Sequence, residues 1–322
     1  MVTAQDATHI PVLLDETLGL LDPREGACFL DGTLGLAGHS SAIMEQSGGK
    51  AFLCGLDRDP LALEKARLRL AGYGDHCRLF RCDFASFETV LPVFGRQDFD
   101  GILLDLGVSS MQLDVAERGF SLRNDGPLDM RMDMGNGTGT QSAADFVNGA
   151  DFETLRRVIS EYGEEPLAER IARAIAAARS SAPITRTGQL ADIVRGAYPA
   201  KWRREARNHP ATRTFQAIRM HVNDEIGQLK RFLAAALAHT APGGVIAVIT
   251  FHSLEDRIVK QCFRQWCSDC ICPGHVTVCR CGHKAEAELL TRRPIVPLPG
   301  ESAANPRAAS AKLRAVRKTT TA

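Results

Sequence analysis

Between residues 27 and 107 the chain repeats one pattern: a short apolar run, a glycine or an acid, then apolar residues at helical spacing. The runs "ACFLD" (27–31), "AFLCGLD" (51–57), "CRLFRCDF" (77–84) and "FDGILLDLG" (99–107) predict four strands. Between them "HSSAIMEQ" (39–46) reads as a helix. "DPLALEKARLRLAGY" (59–73) reads as another, with Asp59 as N-cap, Pro60 at its first position and Gly72 near its end. Alternating strands and helices predict a mostly parallel sheet covered on both faces. Beyond about Leu113 the strand signals stop until "GGVIAVITF" (243–251), which predicts a fifth strand running into a helix at "HSLEDRIVKQCF" (252–263). In the interval, Leu167, Ile171, Ile175 and Ala178 share one helical face, and Thr187 stands as the N-cap of a further helix. Residues 213–237 read as one long helix returning to the sheet.

Ligands of parallel sheets bind beyond the carboxyl ends of the strands. Asp31, Asp57, Asp83 with Phe84, and Asp105 fall there. The glycines of "DGTLGLAGHS" lie at 32, 35 and 38, a G-x-x-G-x-x-G spacing that differs from the dinucleotide fingerprint. A pyrophosphate is held by backbone donors at a helix start and avoids carboxylates; a cationic sulfonium ligand tolerates them. Asp57 is placed to accept from ribose hydroxyls, Phe84 to lie on an adenine, and the amides at Gly38 and His39 to meet a carboxylate. This set favours S-adenosylmethionine over NAD. Taken singly, Phe84 is also readable as a core aromatic and His39 as a helix-start hydrogen-bonding residue.

Length and charge refine this picture. A chain of 322 residues predicts about two domains. Net charge is only +1, yet "KWRREARNHPATR" (201–213) and "RAASAKLRAVRK" (307–318) are cationic, which suits either an anionic polymer or a solvated surface. No apolar run reaches the roughly 20 residues of a membrane span. The first ten residues carry no export signal, so a cytoplasmic protein without a membrane partner is expected. The ten cysteines then read as thiols or metal ligands rather than disulfides. In "WCSDCICPGHVTVCRCGHK" (266–284), Cys270, Cys272, Cys279 and Cys281 have a spacing compatible with zinc or with free thiols in a loop.

The stretch "DGILLDLGVSSMQLDVAERGFSLRNDGPLDMRMD" (100–133) resembles the RsmH (MraW) family of bacterial ribosomal RNA methyltransferases. So do "HIPVLLDETL" (9–18), "DGTLGLAGHS" (31–40), "YGEEPLAERIARAI" (162–175), "HPATRTFQAIRMHVNDE" (209–225), "FHSLEDRIVK" (251–260) and "NPRAASAKLR" (305–314). The likeness runs in order over nearly the whole chain. It implies an α/β class I (Rossmann-like) S-adenosylmethionine-dependent methyltransferase domain over 1–112 and 215–322. An all-helical substrate-recognition domain is inserted over 113–214. The implied reaction is methyl transfer to N4 of a cytidine in the decoding region of 16S rRNA, within the small ribosomal subunit. The implied cofactor contacts are Ala37, Gly38, His39, Asp57, Phe84, Asp105 and Gln112. Ala37 stands where the family usually has glycine; its methyl is harmless if φ there is negative and costly if it is positive.

Many amino-methyltransferases carry an acid- or Asn-Pro-Pro-aromatic motif after the fourth strand; "DLGVSS" (105–110) has neither the prolines nor the aromatic. Asp105 is the first candidate for the proton acceptor, assisted by the carbonyls of Leu106 or Gly107, with Ser109 and Ser110 next. It is equally readable as a cofactor ligand alone. The glycine-punctuated loop 117–132 offers Arg118 and Phe120 as an RNA-stacking lid, or else a packed connector with internally paired arginines. Lys201, Arg203, Arg204 and Arg207 at the exit of the insertion suit an RNA backbone, Trp202 is a possible stacker, and Arg213 follows. The reaction calls for no metal. The sequence leaves three alternatives: another nucleobase target, an assembly factor that binds cofactor and RNA without turnover, and, more remotely, an NAD-dependent oxidoreductase. It leaves oligomeric state open, and it does not decide whether the tail from Asn305 reaches across RNA or folds back.

Overall fold

The computed structural model describes residues 11–135, 141–205, 208–273 and 278–320. The chain forms two compact units, Met1–Gly107 with Gln228–Ala322, and Val108–Gly227. The first holds α1 (Leu14–Leu21), β1 (Cys28–Asp31), α2 (Gly38–Gln46), β2 (Phe52–Asp57), α3 (Pro60–Leu70), β3 (Cys77–Arg81), α4 (Leu91–Phe94) and β4 (Phe99–Asp105). The second holds α5 (Ser110–Asp114), α6 (Ala143–Gly149), α7 (Phe152–Gly163), α8 (Ala168–Ser181), α9 (Thr187–Ala197), α10 (Ala200–Glu205) and α11 (Thr212–Val222). After α12 (Glu225–Ala236) come β5 (Thr240–Thr250), α13 (Ser253–Trp266), β6 (Ala287–Leu289), α14 (Pro299–Ala304) and β7 (Lys312–Lys318).

The seven strands lie in the order β3-β2-β1-β4-β5-β7-β6. The first five run parallel, and β7 is antiparallel to both neighbours. Alternate side chains feed two apolar layers, which is why the strands read as continuous apolar runs. Phe29, Leu53, Leu103, Ala247 and Leu313 pack with Ile43 and Met44 of α2 and Leu63 and Ala66 of α3. Leu30, Leu56, Leu104, Val248 and Val316 pack on the other face with Phe232 of α12 and Val259 and Phe263 of α13. β7 shows that the tail folds back: its Leu313 and Val316 point to opposite layers, an alternation that fits a buried strand.

The second unit is helical around its own core, where Phe146, Leu155, Ile159, Ile171, Ile175 and Leu190 pack with Phe215 and Ile218 of α11. That packing assigns α11 to the helical unit, so the chain rejoins the sheet later than residue 215. The expected single helix over 213–237 is broken. Asn223 donates through Nδ2 to the carbonyls of Met130 (2.7 Å) and Arg219 (2.8 Å), and accepts through Oδ1 from the Met132 N–H (2.9 Å). Asp224 then takes φ 48°. Thr187 is not the N-cap of α9 but its first residue; Arg186 holds the cap, and the Thr187 hydroxyl accepts from the Gly126 N–H at 3.0 Å.

Candidate functional site

Three strands of the sheet end on acids. β1 ends on Asp31, β2 on Asp57 and β4 on Asp105. The parallel register, Asp31 beside Gly55 and Leu103, and Asp57 beside Arg81, puts these ends along one edge. β3 stops at Arg81, short of the expected residue 84, because Asp83 and Phe84 enter a 3₁₀ turn. Asp83 lies 3.1 Å from Arg58 Nε, which makes it a local ion pair.

The turn after β1 needs close approach. A Cβ on Gly32 would sit 2.6 Å from Leu104 Cδ2 and 3.1 Å from Phe84 Cβ, and one on Gly38 would sit 2.5 Å from Pro11 Cγ. Ala37 has φ 58° and ψ 35° and is fully buried. The costly alternative therefore applies: its methyl is held in the left-handed region, which disfavours any L side chain by ~1–2 kcal/mol. α2 starts immediately after it.

Each strand-end acid is held differently. Asp31 Oδ2 accepts from Ser40 Oγ (2.6 Å) and Oδ1 from the Thr33 N–H (3.1 Å). Burial nevertheless pushes its pKa up to about 6. Asp57 clamps the turn, accepting from the Gly35 and Asp59 N–H groups, each at 2.8 Å, and burial raises it also to about 6. Asp105 is different. Its own N–H donates to Thr33 Oγ1 at 2.6 Å, but Oδ1 is buried with no hydrogen-bond partner among the described residues. The side chain as a whole is 27% exposed, and Oδ2 lies 3.7 Å from His39 Nδ1. Burial, reinforced by the charges of Asp31 and Glu255, raises Asp105 to about 8.

His39 is buried, with Nε2 3.0 Å from the Val12 carbonyl. A carbonyl only accepts, so Nε2 carries hydrogen and Nδ1 is the nitrogen turned to Asp105. Glu255 is buried at the start of α13, where it accepts from the Phe251 N–H at 3.1 Å. His252 caps that helix, its Nδ1 accepting from the Glu255 N–H at 3.4 Å. Phe84 is half-buried and meets Phe232 edge-on at 5.7 Å.

In the helical unit, Ser109 and Gln112 form a capping box on α5: Ser109 Oγ accepts from the Gln112 N–H (3.2 Å), and Gln112 Oε1 accepts from the Ser109 N–H (3.0 Å). Ser110 opens the same helix. The lid expected at Arg118 and Phe120 is instead packed connector. Arg118 is only 5% exposed and donates to the carbonyls of Met132 (2.9 Å) and Arg131 (3.3 Å). Phe120 lies in the helical core. Neither faces a polymer in this fold, because the loop closes on itself through Gly119, where a Cβ would meet the Pro127 carbonyl at 2.3 Å. Lys201, Arg203 and Arg204 on α10 are exposed beside Trp202, which is 46% exposed. Arg213 is exposed and donates to the Glu164 carbonyl at 3.2 Å, while Arg207 lies outside the described residues. Ser40 and Thr33 do not stand out in sequence, since only the fold aims the Ser40 hydroxyl at Asp31 and brings the Thr33 hydroxyl to the Asp105 N–H.

A sheet of this order, with a glycine turn feeding α2 and acids at three strand ends, defines a class I S-adenosylmethionine-dependent methyltransferase. The donor set fits the cofactor: carboxylates for its cationic and hydroxyl groups, the half-buried ring of Phe84, and a helix start for its carboxylate. The sequence profile of the MraW methylase family matches residues 6–319, and the chain belongs to that family. It is 57% identical over 318 residues to the ribosomal RNA small subunit methyltransferase H of Nitratidesulfovibrio vulgaris (strain DP4), covering 99% of this chain and 98% of that protein. The protein of the same name from Desulfovibrio desulfuricans is 54% identical over 98% of this chain and 96% of its own length. The one from Lawsonia intracellularis is 50% identical over 96% and 99%.

Proposed function

We propose that this chain methylates N4 of a cytidine in the decoding region of 16S rRNA, acting in the cytoplasm on assembled or nearly assembled small ribosomal subunits. The observation that carries the chemistry is the Asp105 carboxylate, buried at one oxygen and facing His39 Nδ1 at the other. S-adenosylmethionine supplies a methyl group already activated on its sulfonium. Asp57, Phe84 and the helix start at Gly38 and His39 hold the ribose, the adenine and the carboxylate, and Gln112 is a further contact. The exocyclic amine is a poor nucleophile because its lone pair is delocalised into the ring, so the protein aligns it, excludes water and accepts a proton. Asp105, ionised beside a cationic ligand, does the last of these, with His39 Nδ1 3.7 Å from its Oδ2. The Ser109 hydroxyl, already accepting in its cap, is a weaker candidate, and Ser110 follows it. Lys201, Arg203, Arg204, Arg207 and Arg213 offer the cationic surface for RNA.

The test is transfer of labelled methyl to purified small subunits lacking the modification, followed by nucleoside analysis. N4-methylcytidine that disappears with Asp105→Ala is the expected result. A label on another base would move the target. Cofactor and subunit binding without transfer, on subunits that a relative can methylate, would make the protein an assembly factor.

A further inference from the structure

Between α13 and β6 the chain makes an excursion that the methyl-transfer chemistry leaves unused. Four cysteines of this excursion, Cys270, Cys272, Cys279 and Cys281, bring their sulfurs within 4.8 Å of one another. Cys279 Sγ is 3.6 Å from Cys281 Sγ, and Cys281 Sγ is 3.8 Å from Cys270 Sγ. A tetrahedral zinc with Zn–S bonds of about 2.3 Å requires sulfurs about 3.8 Å apart. A disulfide would need about 2.0 Å, and all four cysteines are free thiols. In a two-iron cluster the thiolates bind in pairs to separate metal atoms, and the two pairs stand further apart than these sulfurs.

The backbone is arranged for thiolates. The N–H groups of Ile271, Cys272 and Arg280 point at the sulfurs of Cys281, Cys270 and Cys272, each at 3.4 Å. Full ionisation of four packed sulfurs is opposed by their mutual repulsion, and a divalent cation removes that cost. The base of the excursion is already tied to the end of α13: the Glu286 N–H donates to the Trp266 carbonyl at 2.8 Å, and His283 Nε2 donates to the Gln265 carbonyl at 3.0 Å. Soft sulfur ligands in a closed tetrahedral set suit zinc and leave no position open for substrate.

We propose that Cys270, Cys272, Cys279 and Cys281 bind a structural zinc ion that fixes the turn between α13 and β6. The full chain, purified under reducing conditions without chelator, should carry about one zinc per chain by plasma mass spectrometry. Cys270→Ser with Cys281→Ser should lower that content at least about tenfold, while Cys262→Ser, outside the cluster, should keep it. Cobalt added to the stripped, reduced wild type should give the visible bands of a tetrahedral tetrathiolate, a readout that stands even if the double variant fails to fold. Three results would each overturn the proposal. They are a wild type that neither retains zinc nor takes up cobalt, iron in place of zinc, and a disulfide among these cysteines in the freshly reduced chain.

Discussion

Asp105 puts electrostatics at the site in conflict with stability. Its folded pKa of about 8 lies well above the ~3.9 of an unfolded aspartate, so between those values the folded chain holds a proton that the unfolded chain has lost. Stability therefore falls as pH rises through that interval. Asp105→Asn removes the penalty. It should be more stable than wild type at pH 8, by ~1–2 kcal/mol, with the difference shrinking toward pH 5 in urea melts, and its methyl transfer should fall ~10²–10⁴-fold. A cationic ligand beside Asp105 favours the carboxylate, so calorimetry should find tighter cofactor binding at pH 8 than at pH 6; equal affinities would remove Asp105 from the contact. Ala37 sets two terms of similar size against each other. Ala37→Gly relieves ~1–2 kcal/mol of left-handed strain but gives up a buried methyl worth ~0.8 kcal/mol and loosens the unfolded chain by ~0.4–1 kcal/mol. The melting free energy should change by less than ~0.5 kcal/mol, whereas Ala37→Val, β-branched in the same conformation, should lose ~2 kcal/mol or more. The strand-end acids were legible in sequence because each closes an apolar run. The sign of φ at Ala37 was not, because Pro11, far along the chain, packs against Gly38 and fixes the path.

At the scale of elements, the strands and amphipathic helices follow from apolar periodicity, and what escaped it is set by contacts between elements. The helical pattern continues unbroken through residue 223, yet Asn223 leaves the helix to satisfy the backbone of Met130 and Met132. Arg118 and Phe120 look like a mobile polar loop in sequence, but carbonyls and core neighbours take them inside. The basic tail hides β7 because its charges alternate with Leu313, Ala315 and Val316. Arg314 and Lys312 also pair with Asp256 of α13, at 2.6 and 3.2 Å. Burial opposes ionisation of Asp256, but these two cations prevail and hold its carboxyl below the usual range. That spends much of the tail's charge inside the protein. The exposed cations of α10 then carry the RNA reading. Lys201→Ala, Arg203→Ala and Arg204→Ala combined should weaken subunit binding and reduce its dependence on log salt by ~2–3, with turnover at saturating subunits nearly unchanged. An unchanged salt slope would take α10 out of the interface.

For the whole molecule, two compact units with separate cores make a single all-or-none transition the wrong default. All proposed cofactor contacts except Gln112 lie in the sheet unit, so a ligand that binds only the folded site should stabilise that unit first. The protein's two tryptophans make this measurable, since Trp266 is in the sheet unit, packed on Phe263 at 5.4 Å, and Trp202 is in the helical one. Trp202→Phe leaves Trp266 fluorescence to report the sheet unit, while far-ultraviolet circular dichroism weights the helices. S-adenosylhomocysteine at about a hundred times its Kd should stabilise the Trp266 transition by ~2.7 kcal/mol and move the helical transition less. Equal shifts in both probes would mean that the units unfold as one cooperative body. Gln112→Ala would then separate two origins of that coupling: a return to unequal shifts would place it in the cofactor contact on α5, and persistence would place it in the protein itself.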